Sequence, residues 1–168
     1  MSITELDGQA PDESERSEQA RTSNAPARVL FLCTHNSARS QMAEAILRHL
    51  GGDKIAVYSA GSEPSRLHPD ALRTLDDLGI SMAGLTSKHL KEFVGQDFDY
   101  VVTVCDKARE ACPVFPGRPA QLHWSYPDPS AVEDEAERLV TFRAIADDLL
   151  DRNKSLLAQL EGAATPRS

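Results

Sequence analysis

The sequence predicts an α/β fold: a four-stranded parallel sheet in the order 2-1-3-4, with helices on both faces. Two observations lead there. Apolar runs rich in β-branched residues alternate with stretches of 3.6-residue periodicity, and right-handed crossovers leave few orders for such a chain. The first strand is the apolar run Arg28–Leu32, and Ser40–Leu50 follows as the first helix. Ile55–Ala60 reads as the second strand, stopped by Gly61 and a polar, proline-containing stretch to His68. A second helix opens at Pro69, shows Leu72, Leu75 and Leu78 on one stripe and stops at Gly79. Ser87–Val94 is read as a weaker helix, Asp99–Val104 as the third strand, Ala120–Trp124 as the fourth, and Glu133–Leu160 as a long amphipathic helix.

Composition sets the frame. At 168 residues one domain with a full core is expected. Residues 1–27 set Glu5, Asp7, Asp12, Glu13, Glu15 and Glu18 against Arg16 and Arg21 with almost no aliphatic pattern, which predicts a disordered acidic tail. Residues 28–162 form the expected domain and 163–168 a flexible end. The net charge of −8 without a basic cluster argues against nucleic acid. No run approaches the roughly 18 apolar residues of a membrane span, and no apolar stretch follows a basic start as in an export signal. Three cysteines in such a chain predict a reducing cytoplasm, and a monomer is expected.

The densest information lies in Cys33-Thr34-His35-Asn36-Ser37-Ala38-Arg39-Ser40, between the first strand and the first helix. A strand–loop–helix order directs the loop's N–H groups and the helix N-terminus at one point, which suits an oxyanion such as phosphate, sulfate or arsenate. Thr34 to Ser40 would form that cradle, with Arg39 as a bidentate clamp. The helix N-terminus, Arg39 and the Ser40 hydroxyl would stabilise a Cys33 thiolate and make it a nucleophile. In the order 2-1-3-4 the first and third strands flank the switch point, so Cys33 and Cys105 would face one another across the anion pocket.

Cys105 and Cys112 lie seven positions apart across a helix-forming stretch, about 10.5 Å of helical rise, whereas disulfide-bonded Cα atoms sit within about 7 Å. A bond between them would require unwinding, so the pair reads as a redox switch or as two unrelated thiols; the spacing does not suit zinc. Asp128, between Pro127 and Pro129, reads equally as a general acid aimed at the pocket or as a turn residue. His123 and Trp124 are expected to pack at the strand end rather than line the site, His35 to face solvent, and His49, His68 and His89 to be surface or cap residues.

The loop, Gln41-Met42-Ala43-Glu44 after it, Tyr58-Ser59-Ala60-Gly61, Val102-Thr103-Val104-Cys105 with Cys112-Pro113, His123-Trp124 and Asp128-Pro129 stand in the order of a known family. From about Arg28 to Leu160 the chain resembles the low-molecular-weight phosphatase superfamily, specifically its thioredoxin-coupled arsenate reductase branch. The resemblance implies that Cys33 attacks arsenate with help from Arg39 and Asp128. Cys105 then releases arsenite, and Cys112 passes the oxidised state on to thioredoxin, with no bound cofactor. Some relatives hold a monovalent cation through residues matching Asn36, Glu44 and Ser59 plus an aspartate, whose place here is taken by Lys88, so no metal site is expected. His35 stands where many relatives have Gly, and Ala38 where phosphatases often have a second cysteine. The alternatives are a tyrosine phosphatase, a reductase recharged by mycothiol or glutathione, and an anion sensor without catalysis.

Overall fold

The computed structural model describes residues 25–164; the expected tail through residue 24 and the last four residues lie outside the described residues. Strands β1 (Ala27–Cys33), β2 (Ile55–Gly61), β3 (Tyr100–Thr103) and β4 (Ala120–His123) form one parallel sheet in the order β2-β1-β3-β4. The helices are α1 (Arg39–Gly51), α2 (Pro69–Asp77), α3 (Asp106–Glu110) and α4 (Glu135–Ala164). β1 therefore starts at Ala27, inside the stretch read as tail, and α4 reaches past residue 162. Among the described residues no helix is long and apolar enough to cross a membrane.

Central position explains the composition of β1. Val29, Leu30, Phe31 and Leu32 are all buried, as both faces of an inner parallel strand must be. Met42, Ile46 and Leu47 of α1, Leu75 of α2, and Phe142, Leu149 and Leu156 of α4 complete the core. The end of α2 follows the sequence reading closely. Gly79 takes φ +72, its N–H donates to Asp76 O at 2.9 Å and the Ile80 N–H to Leu75 O at 2.9 Å, the paired bonds that close a helix through a left-handed glycine.

One element differs. Ser87–Val94 is not a helix; only Leu90–Glu92 makes a 3-10 turn, capped by the His89 ring at Lys91 N. The segment's backbone is committed elsewhere: Gly61 N–H donates to Lys88 O at 2.9 Å, and Gly61 and His89 form a parallel bridge beyond the end of β2. Extended pairing with the sheet outweighs the weak preference of so short a helix.

The register sets Cys33 opposite Gly61, and Leu32 opposite Thr103, which in turn faces His123. The carboxyl ends of β1, β3 and β4 thus open at one edge. A Cβ on Gly61 would stand 2.5 Å from Thr34 O, 2.9 Å from Asn36 N and 2.9 Å from Cys33 O, all backbone atoms that cannot swing aside. Gly61→Ala is expected to cost about 3 kcal/mol of stability, the upper end of overpacking penalties, read as a fall in the urea midpoint at unchanged slope.

Candidate active site

The loop after β1 is held from outside by its carbonyls. Thr34 O accepts from Glu63 N (2.8 Å), His35 O from Ser65 N (3.0 Å) and Ser87 Oγ (3.2 Å), and Ser37 O from His68 N (2.9 Å). Asn36 O accepts from Gln41 Nε2 (3.0 Å) and Ala38 O from Met42 N (2.9 Å). A trans peptide points its N–H opposite its C=O, so each outward carbonyl aims the next N–H inward. Asn36 N–H does this visibly, donating to Cys33 Sγ at 3.2 Å. Ala38 offers no side-chain cap to α1, which leaves the first-turn N–H groups directed at the same space.

Asn36 organises the loop's interior. It sits in the left-handed region at φ +49 with its side chain fully buried. Nδ2 donates to Ser40 Oγ (2.7 Å) and Ser59 Oγ (2.9 Å), while Oδ1 accepts from Gln41 Nε2 (2.9 Å) and Lys88 N (2.8 Å). Since Ser40 Oγ accepts from Asn36, its own hydroxyl is free to donate to Cys33 Sγ, 2.8 Å away. With Cys33 as thiolate, the sulfur accepts from both the Ser40 hydroxyl and Asn36 N–H. The Ser59 hydroxyl donates to Glu44 Oε1 at 2.5 Å, and Glu44 is also paired with Arg48 and lies 3.7 Å from Lys88 Nζ.

The polar atoms of that cluster are already engaged. Asn36 Oδ1, Glu44 Oε1 and Ser59 Oγ are engaged with one another's surroundings, and the Lys88 ammonium, which also donates to Thr86 O at 2.5 Å, already supplies the positive charge. These residues do not fit a bound monovalent ion, and no group of three His, Cys, Asp or Glu among the described residues is arranged to hold a metal.

Arg39 is buried, and Nη1 donates to Tyr126 O at 3.0 Å, which fixes the guanidinium between the loop and the chain leaving β4. Tyr126 is held in turn by α4: its hydroxyl donates to Asp148 Oδ2 at 2.6 Å, and Arg152 stacks on its ring. Burial, then the bond to Asp148, pushes the tyrosine pKa up. Cys105 follows β3 and precedes α3, with Sγ 3.4 Å from Thr34 Oγ1, so the loop and the second cysteine are in direct contact. Cys112 is half-buried with Sγ 3.5 Å from Pro113 O, and burial pushes its thiol pKa up. All three cysteines are free.

Asp128 is exposed, and Oδ1 accepts from Ser130 N (3.0 Å) and Ser130 Oγ (2.6 Å), capping a 3-10 turn. Partial burial works to raise its pKa, but the two Ser130 bonds and the charges of Arg39 and His35 outweigh it and hold the carboxyl below the usual range. Asp128 thus caps its own turn at a place where the Arg39 charge acts on its carboxyl. His35 is exposed with Nδ1 3.0 Å from Glu63 O, His68 and His89 cap helical turns, and Trp124 packs tilted on Phe31. Sequence reasoning placed Gln41 only as part of the run after the loop and gave no role to Tyr126 O or the 63–68 strap, which act through main-chain atoms at long range.

The comparisons decide the family. The model of low molecular weight phosphotyrosine protein phosphatases matches residues 28–165. The chain belongs to that family. An arsenate reductase of Shouchella clausii strain KSM-K16 is 37% identical over 127 residues, covering 75% of this chain and 91% of that protein. A glutaredoxin arsenate reductase of Synechocystis sp. strain ATCC 27184 is 34% identical over 133 residues, covering 79% and 98%. The solved structure of a thioredoxin-dependent arsenate reductase of Corynebacterium glutamicum superposes with a TM-score of 0.65 at 30% identity, covering 88% of this chain and 71% of that one.

Ser130→Ala removes one of the bonds that favour the Asp128 carboxylate, so the Asp128 pKa is expected to rise toward the ordinary value. A carboxyl-carbon NMR titration of the two proteins checks the direction.

Proposed function

We propose that this protein reduces arsenate to arsenite through Cys33, Cys105 and Cys112 and is recharged by thioredoxin. The observation that carries the reading is the contact between Thr34 Oγ1 and Cys105 Sγ, which brings a second thiol to the rim of a Cys-loop-Arg anion cradle. A phosphatase needs no such thiol. The names of the similar reductases support arsenate as the substrate.

In this reading the inward N–H groups and Arg39 bind arsenate beside Cys33. The Cys33 thiolate attacks arsenic, an S–As bond forms and an As–O bond breaks, the oxygen leaving as water. Asp128 supplies a proton: the entering anion opposes its charge and raises its pKa from the depressed resting value. Cys105 then attacks the Cys33 sulfur; the S–As electron pair stays on arsenic, which leaves as arsenite, and a Cys33–Cys105 disulfide remains. Cys112 attacks Cys105 and frees Cys33 as thiolate, and a dithiol protein reduces the Cys105–Cys112 bond. Burial pushes the Cys112 pKa up, which favours the protonated, less nucleophilic thiol in the reduced protein. All the groups lie on one chain, so a monomer in a reducing cytoplasm suffices. Weak hydrolysis of aryl phosphates by the same cradle is expected, since phosphate shares the shape and charge of arsenate.

The test is arsenite formation by the purified protein with arsenate, thioredoxin, its reductase and NADPH, beside Cys112→Ser. Turnover by the wild type and one equivalent of arsenite from the variant is the expected result. Unimpaired turnover of Cys112→Ser with glutathione, glutaredoxin or mycothiol would replace thioredoxin as the donor. No arsenite with brisk aryl phosphate hydrolysis would make the protein a phosphatase.

Because the Lys88 ammonium occupies the neighbourhood of Glu44, exchanging sodium for potassium at constant ionic strength is expected to change the reduction rate less than about twofold, as steady-state assays would show.

A further inference from the structure

His123 takes no part in the proposed relay, yet both of its ring nitrogens are held. Nδ1 lies 2.7 Å from Thr103 Oγ1 and Nε2 2.9 Å from Asp106 Oδ1. Thr103 ends β3 and Asp106 begins α3, so the ring bridges the two residues between them, Val104 and Cys105. Ser125 Oγ donates to the same Asp106 oxygen at 3.1 Å. A carboxylate can only accept, so Nε2 carries a proton in either charge state of the ring. In the neutral ring Nδ1 accepts from the Thr103 hydroxyl; in the cation Nδ1 donates and that hydroxyl turns to Leu122 O, 3.4 Å away. The bridge is complete both ways. The His123 bond, then that of Ser125, holds the Asp106 carboxyl below its ordinary pKa.

The two ends of this bridge belong to different elements. His123 and Thr103 are paired residues of the sheet. Asp106 belongs to a helix of five residues whose bonds run from Arg109 N to Cys105 O (3.2 Å), from Ala111 N to Lys107 O (3.1 Å) and from Cys112 N to Arg109 O (3.4 Å). Bringing Cys105 and Cys112 within the roughly 7 Å that a disulfide requires breaks this helical path. Asp106 is the first residue of that helix and adjoins Cys105, so unwinding from this end would separate it from the sheet-anchored ring.

We propose that His123 is a positioning residue: anchored on β4 and Thr103, it clamps Asp106 and so holds Cys105 in its reduced position beside Thr34, and it lets go when the Cys105–Cys112 disulfide forms. The clamp favours the dithiol, keeping Cys105 at the cradle until it is needed, and makes the final disulfide easier for a partner to reduce. It rests on the proposed relay only in requiring that this disulfide can form.

The full chain is equilibrated in buffers of reduced and oxidised dithiothreitol. There the two thiols are oxidised to the disulfide as oxidised dithiothreitol is reduced, and the paired fraction is read by alkylation and peptide mass spectrometry. His123→Ala is expected to raise the constant for disulfide formation about two- to fivefold, the range of a partly exposed ion pair. Asp106→Ala, at an exposed position, is expected to shift it the same way, and the double variant no further than the larger single effect. His123→Gln, whose amide can still donate to Asp106, restores most of the difference. A contact that merely stabilised both redox states would leave the constant unmoved; an unchanged constant in His123→Ala or Asp106→Ala, with the disulfide forming normally, overturns the clamp alone. Failure of Cys105 and Cys112 to pair in any buffer overturns the clamp and the relay together.

Discussion

The site depends on the direction in which five peptide groups face. The carbonyls of Thr34 to Ala38 are each taken by a donor outside the cradle, from the 63–68 strap, from Ser87, from Gln41 or from the first turn of α1. Leaving such a buried acceptor unpaired would cost about 1–3 kcal/mol, so the outward arrangement is strongly favoured over any flip. The inward N–H groups follow from peptide planarity. Asn36 makes the turn possible: it accepts a left-handed φ that most residues avoid, and its four side-chain bonds tie the loop to α1, β2 and the Lys88 segment. Gly61 completes the constraint by admitting the loop backbone to a distance that any Cβ would block.

Charge is organised locally, against the grain of the whole chain. A protein of net charge −8 gains little anion attraction from its overall field. Instead the positive groups near the cradle are individually fixed: Arg39 by Tyr126 O, and Lys88 and Arg48 around the buried Glu44. The support for Arg39 reaches as far as α4, through the Tyr126 hydroxyl and Asp148. Residues more than a hundred positions from the loop in sequence therefore set the orientation of its arginine.

The three thiols sit in three different mechanical settings. Cys33 ends a central strand, Cys105 links a strand to a short helix, and Cys112 follows that helix on a half-buried turn. In the proposed relay the cradle and the short helix beside it would divide the labour: anion binding needs geometry that does not move, and successive disulfides need sulfurs that do. The His123 ring lies at the seam between these two parts.

The sequence by itself determined the sheet order, the place of Cys33 to Ser40 between a strand and a helix, the closing glycine of α2 and the place of Cys105 after the strand that neighbours β1. These rest on short-range patterns, on spacing and on the handedness of crossovers, all carried by neighbouring residues. Only the tertiary structure decided that Ser87–Val94 stays extended, because its backbone pairs with the end of β2, and that Asp128 caps its own turn through Ser130. The same holds for Tyr126 O on Arg39, the 63–68 strap on the loop and the ring of His123 between Thr103 and Asp106. Those contacts join main-chain atoms, or side chains whose types fit many roles. Hydrogen-bond partners of that kind are selected by distance in space, which no local pattern of residues records.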